Sequence, residues 1–223
     1  MQARAQLVSE SLTGLGSVAH VVLLACRAGR LRLTVAMILR PFGLLLAAGA
    51  GARMGRPKAL MHDASGEPWV ALGCRMLRAA GCGDVAVVLG AEADSARALV
   101  PHDARVVVAP DWSLGLSASL RAGLGLAEST DAACVLVSLV DLPDLPASVG
   151  RRVLDRAGPD AATALVRAVF GGRPGHPVLI GRSHWPAVTA SVSGDTGANE
   201  YLSEHRVAAV ECGDLTPGLD RDR

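Results

Sequence analysis

Leu44–Lys58, LLLAAGAGARMGRPK, is the stretch whose reading decides the fold. Three leucines and two alanines form a short apolar run between Gly43 and Gly49, the length and setting of a buried strand. Gly49-Ala50-Gly51-Ala52-Arg53-Met54-Gly55 follows, a loop of small residues with one guanidinium, closed by Pro57 and Lys58. Glycines let backbone N–H groups approach a ligand without a Cβ in the way. Successive N–H groups in such a loop make an anion-binding concavity. Arg53 and Lys58 add two positive charges. The physical reading is a triphosphate cradle at the carboxyl end of a first strand.

Two common phosphate loops do not fit. The dinucleotide fingerprint G-x-G-x-x-G/A is met at Gly49 and Gly51 but has Met54 at its third position. The Walker loop needs four residues between its glycines and then Gly-Lys-Ser/Thr, whereas Arg-Pro-Lys follows Gly55 here.

Composition narrows the setting. The 223 residues are 50% hydrophobic but only 3% aromatic, so the core is built from Ala, Val and Leu, as in a parallel sheet covered by helices. With a net charge of +1, from 22 basic and 21 acidic side chains, nothing suggests a nucleic-acid surface or a polybasic membrane patch. Five cysteines, Cys26, Cys74, Cys82, Cys134 and Cys212, make an odd set without a CxxC pair, and the six histidines lack metal-type spacing. Reduced, buried thiols in a cytoplasm are the simplest account.

Residues 1–40 lack a clear period. Val18–Ala25 is apolar but far shorter than the roughly 20 residues a membrane helix needs. Leu23-Leu24-Ala25-Cys26 is a weak lipoprotein-like site behind a poor signal region, with Arg4 as the sole leading base and Glu10 within it. These residues read as an N-terminal extension, disordered or foreign to a natural core that begins near Met37. Residues 41–223 read as a single domain.

From Phe42 onward strands and helices alternate. Strands are expected at 43–47, 84–89, 105–109, 132–140, 162–170, 176–180 and 207–210. Helices are expected at 68–80, 91–100, 117–127, 145–157, 185–190 and 198–204, with a tight loop over Gly171–Gly175. This order implies an α/β fold, a Rossmann-like three-layer αβα sandwich with a mostly parallel sheet. Ligands then lie beyond the carboxyl ends of the strands. Asp141 follows the apolar run CVLVSLV at that edge and is a natural Mg²⁺ ligand. A strand-end or capping role is the bland alternative for it, with Asp144 the better cap for the next helix.

Taken together, LAAGxGxRMGxPK resembles the signature of nucleotidyltransferases of the molybdenum-cofactor type, whose fold is the nucleotide-diphospho-sugar transferase type. The resemblance implies that Leu46, Ala47, Ala48, Gly49, Gly51, Arg53, Gly55 and Lys58 hold the base and phosphates of a nucleoside triphosphate. Asp141 in Asp-Leu-Pro would bind the metal, with Val140 where the family has Gly. Asp220, in the closing Leu-Asp-Arg-Asp, would be a second metal carboxylate or part of a solvated tail. Ser117 and Ser119 in WSLGLSASLRAG would open a helix against the nucleotide, with Ser117 alternatively an N-cap. His176 and Pro177, with Gly194, Asp195 and Gly197, match the acceptor-side segments. Asn199 stands where Arg is usual, His176 alone reads equally as structural, and Asp195 doubles as a cap for the helix near Ala198.

The implied protein is similar to the molybdenum cofactor cytidylyltransferases. It would join a nucleoside monophosphate to the terminal phosphate of molybdopterin, release pyrophosphate, and use Lys58, Arg53 and Asp141 for catalysis. Ala48 matches Leu-Ala-Ala-Gly of the cytidylyl enzymes rather than Leu-Ala-Gly-Gly of the guanylyl enzymes, which favours CTP. The expected partners are CTP, a molybdopterin-type acceptor and a molybdenum hydroxylase, with no nucleic acid and no membrane. The rivals are a transferase using another phosphorylated acceptor, such as a sugar phosphate, GTP-dependent cofactor synthesis, and a non-catalytic cofactor carrier.

Overall fold

The computed structural model describes residues 41–221. The N-terminal extension expected over residues 1–40 lies outside the described residues. β1 (Pro41–Ala47) is buried along its whole length and lies near the middle of a seven-stranded sheet ordered β3-β2-β1-β4-β6-β5-β7. The other strands are β2 (Asp84–Leu89), β3 (Arg105–Val108), β4 (Cys134–Leu139), β5 (Leu165–Phe170), β6 (Arg173–Gly181) and β7 (Ala208–Glu211). β1 pairs in parallel with β2 and β4, β2 with β3, and β5 with β7. β6 alone runs against its neighbours, β4 and β5. The helices are α1 (Trp69–Ala80), α2 (Ala93–Arg97), α3 (Leu116–Glu128), α4 (Ala147–Ala157), α5 (Trp185–Ser191) and α6 (Asn199–Glu204).

The continuous apolar run of β1 is explained by cover on both faces. Phe42, Leu44 and Leu46 join one core with Leu120 and Leu124 of α3, Trp185 of α5 and Leu202 of α6. Leu45 points the other way, onto α1. Each fully buried leucine contributes about 1.5–3 kcal/mol of transfer free energy. The helices come close because glycines face the strand. A Cβ on Gly73 of α1 would lie 2.7 Å from Leu45, and one on Gly123 of α3 would lie 2.5 Å from Leu44. On the α1 face, a Cβ on Gly150 of α4 would lie 2.7 Å from that of Ala80, so α1 and α4 also touch through small residues.

The expected elements all form, with shifted ends. Gly171 and Gly172, at φ 59° and 77°, make the hairpin turn by themselves, so β6 already begins at Arg173 and the loop expected over 171–175 is shorter. α2 is shorter than the expected 91–100 because Ala91 is held by Ala48: its N–H donates to the Ala48 carbonyl at 2.9 Å. α4 starts at Ala147 rather than Leu145, since Pro146 is extended and disfavours helix at the residue before it. Three capping assignments are corrected. No side chain caps α3, α4 or α6, whose cap positions are Gly115, Pro146 and Ala198. Asp144 instead pairs with Arg221, Oδ2 to Nε at 2.6 Å. Among the described residues no helix is long and apolar enough to cross a membrane.

Candidate active site

Because β1, β2 and β4 are parallel neighbours, the loops after them share one edge of the sheet. Main-chain bonds tie these loops together. The Leu46 carbonyl accepts the Val140 N–H at 3.1 Å, complementing the Ala48–Ala91 bond. The loop after β1 then folds back on itself. Gly51 is left-handed, at φ 61°, and a Cβ there would lie 2.0 Å from the Arg56 carbonyl oxygen, so only glycine fits. Met54 N–H donates to the Gly51 carbonyl at 2.8 Å and closes a short 3-10 turn over Ala52–Met54.

This fold-back carries Lys58 over the end of β4. Lys58 Nζ donates to Asp141 Oδ2 at 2.8 Å, across 83 residues of sequence, with both side chains less than a fifth exposed. The second oxygen, Asp141 Oδ1, is buried and has no hydrogen-bond partner. A buried carboxylate oxygen without a partner is costly. It is also the hard oxygen donor that a divalent cation takes. Among the described residues no group of three or more His, Cys, Asp or Glu side chains gathers to hold a metal. A divalent cation at Asp141 would take one or two carboxylates from the chain and complete its shell with phosphate oxygens and water, as Mg²⁺-type sites do. The donor set fits the expected metal.

Lys58 and Asp141 stand in a cleft of about 480 Å³. Leu46, Ala47, Ala48, Gly49 and Gly51 form one wall, and Ser119 and Asp195 stand among the residues lining the rest. Gly55 and Ser117 are not in the lining. Ser117 lies in the first turn of α3, fully buried, and neither caps the helix nor faces the cleft. The backbone of Arg53 belongs to the 3-10 turn, while its side chain lies outside what is described. Trp112, Ser113, Gly115 and Leu116 also line the cleft. In WSLGLSASLRAG the expected ligand contacts are the serines, and Trp112 is a further lining residue. Its signal was its rarity, one of 3 tryptophans. It seats there because Gly90 has no Cβ, which would fall 2.5 Å from the Cβ of Trp112.

Of the residues expected on the acceptor side, Asp195 alone lines the cleft, while His176 and Gly197 line a second cavity. Gly194–Thr196 packs on the start of α3, where a Cβ on Gly115 would lie 2.5 Å from Asp195 Oδ1 and from the Gly194 carbonyl. Gly197 rests on Leu116. Behind this loop is a second, smaller cavity of about 30 Å³ that shares Leu46 and Leu116 with the main cleft. His176, Gly197, Asn199 and Arg167 line it. His176 and Pro177 lie in a stretch of β6 where the pairing with β5 shifts register between Arg167 and Val169. Burial, reinforced by the nearby positive charge of Arg167, pushes the pKa of His176 down to about 4. Asp220 is exposed, and the next residue returns to Asp141 through the main chain: Arg221 N–H donates to the Asp141 backbone carbonyl at 2.9 Å.

Comparison with known proteins agrees with this geometry. Residues 43–210 match the family described as MobA-like NTP transferase domain. The nicotine blue oxidoreductase of Paenarthrobacter nicotinovorans is 38% identical over 190 residues, 81% of this chain and 91% of that protein. A probable molybdenum cofactor guanylyltransferase of Rhodopirellula baltica is 34% identical over 103 residues, 46% of this chain and 49% of that one. Among solved structures, Rv0371c of Mycobacterium tuberculosis H37Rv superposes with a TM-score of 0.68 at 28% identity, covering 82% of this chain and 93% of that one. The same protein has been solved in complex with manganese, at a TM-score of 0.63 and 25% identity, covering 78% of this chain and 88% of that one. The family match runs from the third residue of β1 to the third of β7, so it spans the whole sheet as well as the cleft: the chain belongs to the MobA-like NTP transferase domain family and is a nucleotidyltransferase by that kinship.

Proposed function

We propose that the chain transfers a nucleoside monophosphate from a nucleoside triphosphate to the terminal phosphate of a molybdopterin-type acceptor, with release of pyrophosphate. The observation that carries this reading is the Lys58–Asp141 pair at the mouth of a glycine loop, with one carboxylate oxygen left unpartnered. The acceptor phosphate is ionised at neutral pH, so no general base is needed. The barrier is repulsion between that anion and the triphosphate. Catalysis is then positioning plus neutralisation of charge. The loop's backbone N–H groups cradle the phosphates, and Lys58 offsets charge on the α-phosphoryl oxygens. Asp141, with Asp220 a candidate second carboxylate, would hold a divalent cation. That cation, Mg²⁺ or the manganese seen with the mycobacterial structure, supplies further neutralisation of the triphosphate. As the transferred group moves, the acceptor oxygen forms a bond to the α-phosphorus and the bond to pyrophosphate breaks.

For the base, GTP is better supported than CTP. The likeness to a guanylyltransferase, 34% over 103 residues, outweighs the Ala48 argument for CTP. That argument rests on a single methyl, which discriminates by only about 1–3 kcal/mol. Mass spectrometry of the product formed with GTP, CTP, ATP and UTP in equal amounts tests this directly. A guanine dinucleotide of the pterin is expected, and a cytosine dinucleotide would overturn the base assignment alone.

A second reading is favoured by the 38% relative: oxidoreductase activity toward nicotine blue. One fold hosts unrelated chemistries, so the likeness defines a separate assay rather than an answer. Loss of nicotine blue absorbance with NADH or NADPH, in the absence of any nucleoside triphosphate, would favour it.

A further inference from the structure

Arg167 is an unusual side chain for its place. It projects from β5 into the small cavity behind the acceptor loop, half-buried among Leu46, Leu116, Leu120 and Val137. Its Nε donates to the Gly175 carbonyl at 3.1 Å. Among the described residues it has no carboxylate partner. Burying a guanidinium without an anion is costly, and such groups are ordinarily paired. Nearby, the neutral His176 and the amide of Asn199 face the same space. Neither brings a charge that would neutralise the guanidinium. With Nε engaged, the two terminal nitrogens keep their parallel donor edge.

We infer that the Arg167 fork reads the polar edge of a bicyclic ring that reaches from the main cleft into this cavity, namely a carbonyl oxygen beside an unprotonated ring nitrogen. A guanidinium binds that pair in bidentate fashion on the edge of guanine. A pterin in its oxidised form, with no hydrogen on N5, carries the same pair of acceptors, so the shared chemistry has two sources, an oxidised pterin and a guanine base. At about 30 Å³ the cavity admits only the edge of such a ring, and it adjoins the main cleft through Leu46 and Leu116, which line both. Arg167 thereby becomes a residue that determines specificity, on a strand to which the sequence assigned no role. This inference rests on the transferase reading for the identity of the ligand.

The test uses phosphate-free probes, so that ring recognition is separated from phosphate binding. Neopterin and guanosine are titrated into the full-length protein and its Arg167→Met and Arg167→Lys variants, with magnesium tripolyphosphate as the control ligand. Arg167→Met is expected to weaken one of the two ring probes by about tenfold or more, the cost of losing a bidentate pair. Which probe weakens identifies the ring. Arg167→Lys keeps the charge and stem but not the fork, and is expected to lose about half of that effect on a logarithmic scale. Tripolyphosphate affinity is expected to stay unchanged in both. Because the lysine variant retains a charged stem, it serves the same comparison should the methionine variant not fold. Unchanged affinity for both rings in the variants would overturn the inference. So would failure of the wild type to bind either ring while it still releases pyrophosphate, a result that leaves the transferase reading standing. Absence of both ring binding and pyrophosphate release would overturn the two together.

Discussion

Asp141 divides its two oxygens between different tasks. Oδ2 holds Lys58, while Oδ1 faces no partner in a buried setting. Lys58→Ala and Asp141→Asn are each expected to lower turnover by about 10²–10³-fold, the scale on which a preorganised charge-stabilising group acts. Circular dichroism should report an unchanged fold in both. His176 gives a second prediction at this scale. Its folded pKa of about 4 lies below the ordinary 6.5, so unfolding takes up a proton in between. Stability is then fully present above pH 6.5 and falls as the pH drops toward 4, by roughly 1–3 kcal/mol. Thermal unfolding at pH 7 and pH 4.5 should show a smaller acid loss for His176→Gln than for the wild type, and equal losses would contradict it. Individual residues were legible in the sequence where their chemistry is local. Gly51 and Lys58 belong to one continuous motif. Arg167 and Trp112 were not legible, because their roles come from a register shift in β6 and from the missing Cβ of Gly90. The caps assigned to Asp144 and Asp195 failed for the same kind of reason: Asp144 pairs with the distant Arg221, and Asp195 packs against Gly115 at the start of α3.

At the scale of elements, the order and type of every strand and helix in residues 41–211 could be read from apolar runs and their punctuation. The ends were less legible, because some are set by contacts between strands, as when Ala48 holds Ala91 and shortens α2, and others by a single local residue such as Pro146 before α4. The reversal of β6 was legible only as a glycine pair at 171–172; its pairing with β4 depends on non-local packing. Helix-to-helix closeness was equally hidden. Gly150 of α4 stands against Ala80 of α1, with Leu136 of β4 beneath. Gly150→Val is expected to force these layers apart and cost roughly 1–3 kcal/mol, typical of overpacking in a filled core. Chemical denaturation should show a lower midpoint with an unchanged slope. A midpoint equal to the wild type would mean that α4 can move away freely and that the contact does not constrain the layers.

At the scale of the whole molecule, the sheet brings four distant segments to one edge. The glycine loop after β1, the start of α3, the end of β4 and the Gly194–Gly197 loop all reach the same cleft. The C-terminal tail closes on it through the bond from Arg221 to Asp141. Each segment carries one part of the proposed reaction: phosphate cradle, cleft wall, metal carboxylate and acceptor wall. The most direct measurement is pyrophosphate release by the full-length protein with Mg²⁺ and each of GTP, CTP, ATP and UTP, with and without molybdopterin. Release that needs both a nucleoside triphosphate and the pterin, fastest with GTP and lost in Lys58→Ala, is the predicted result. No release with any of the four from folded protein would contradict nucleotidyl transfer at this cleft.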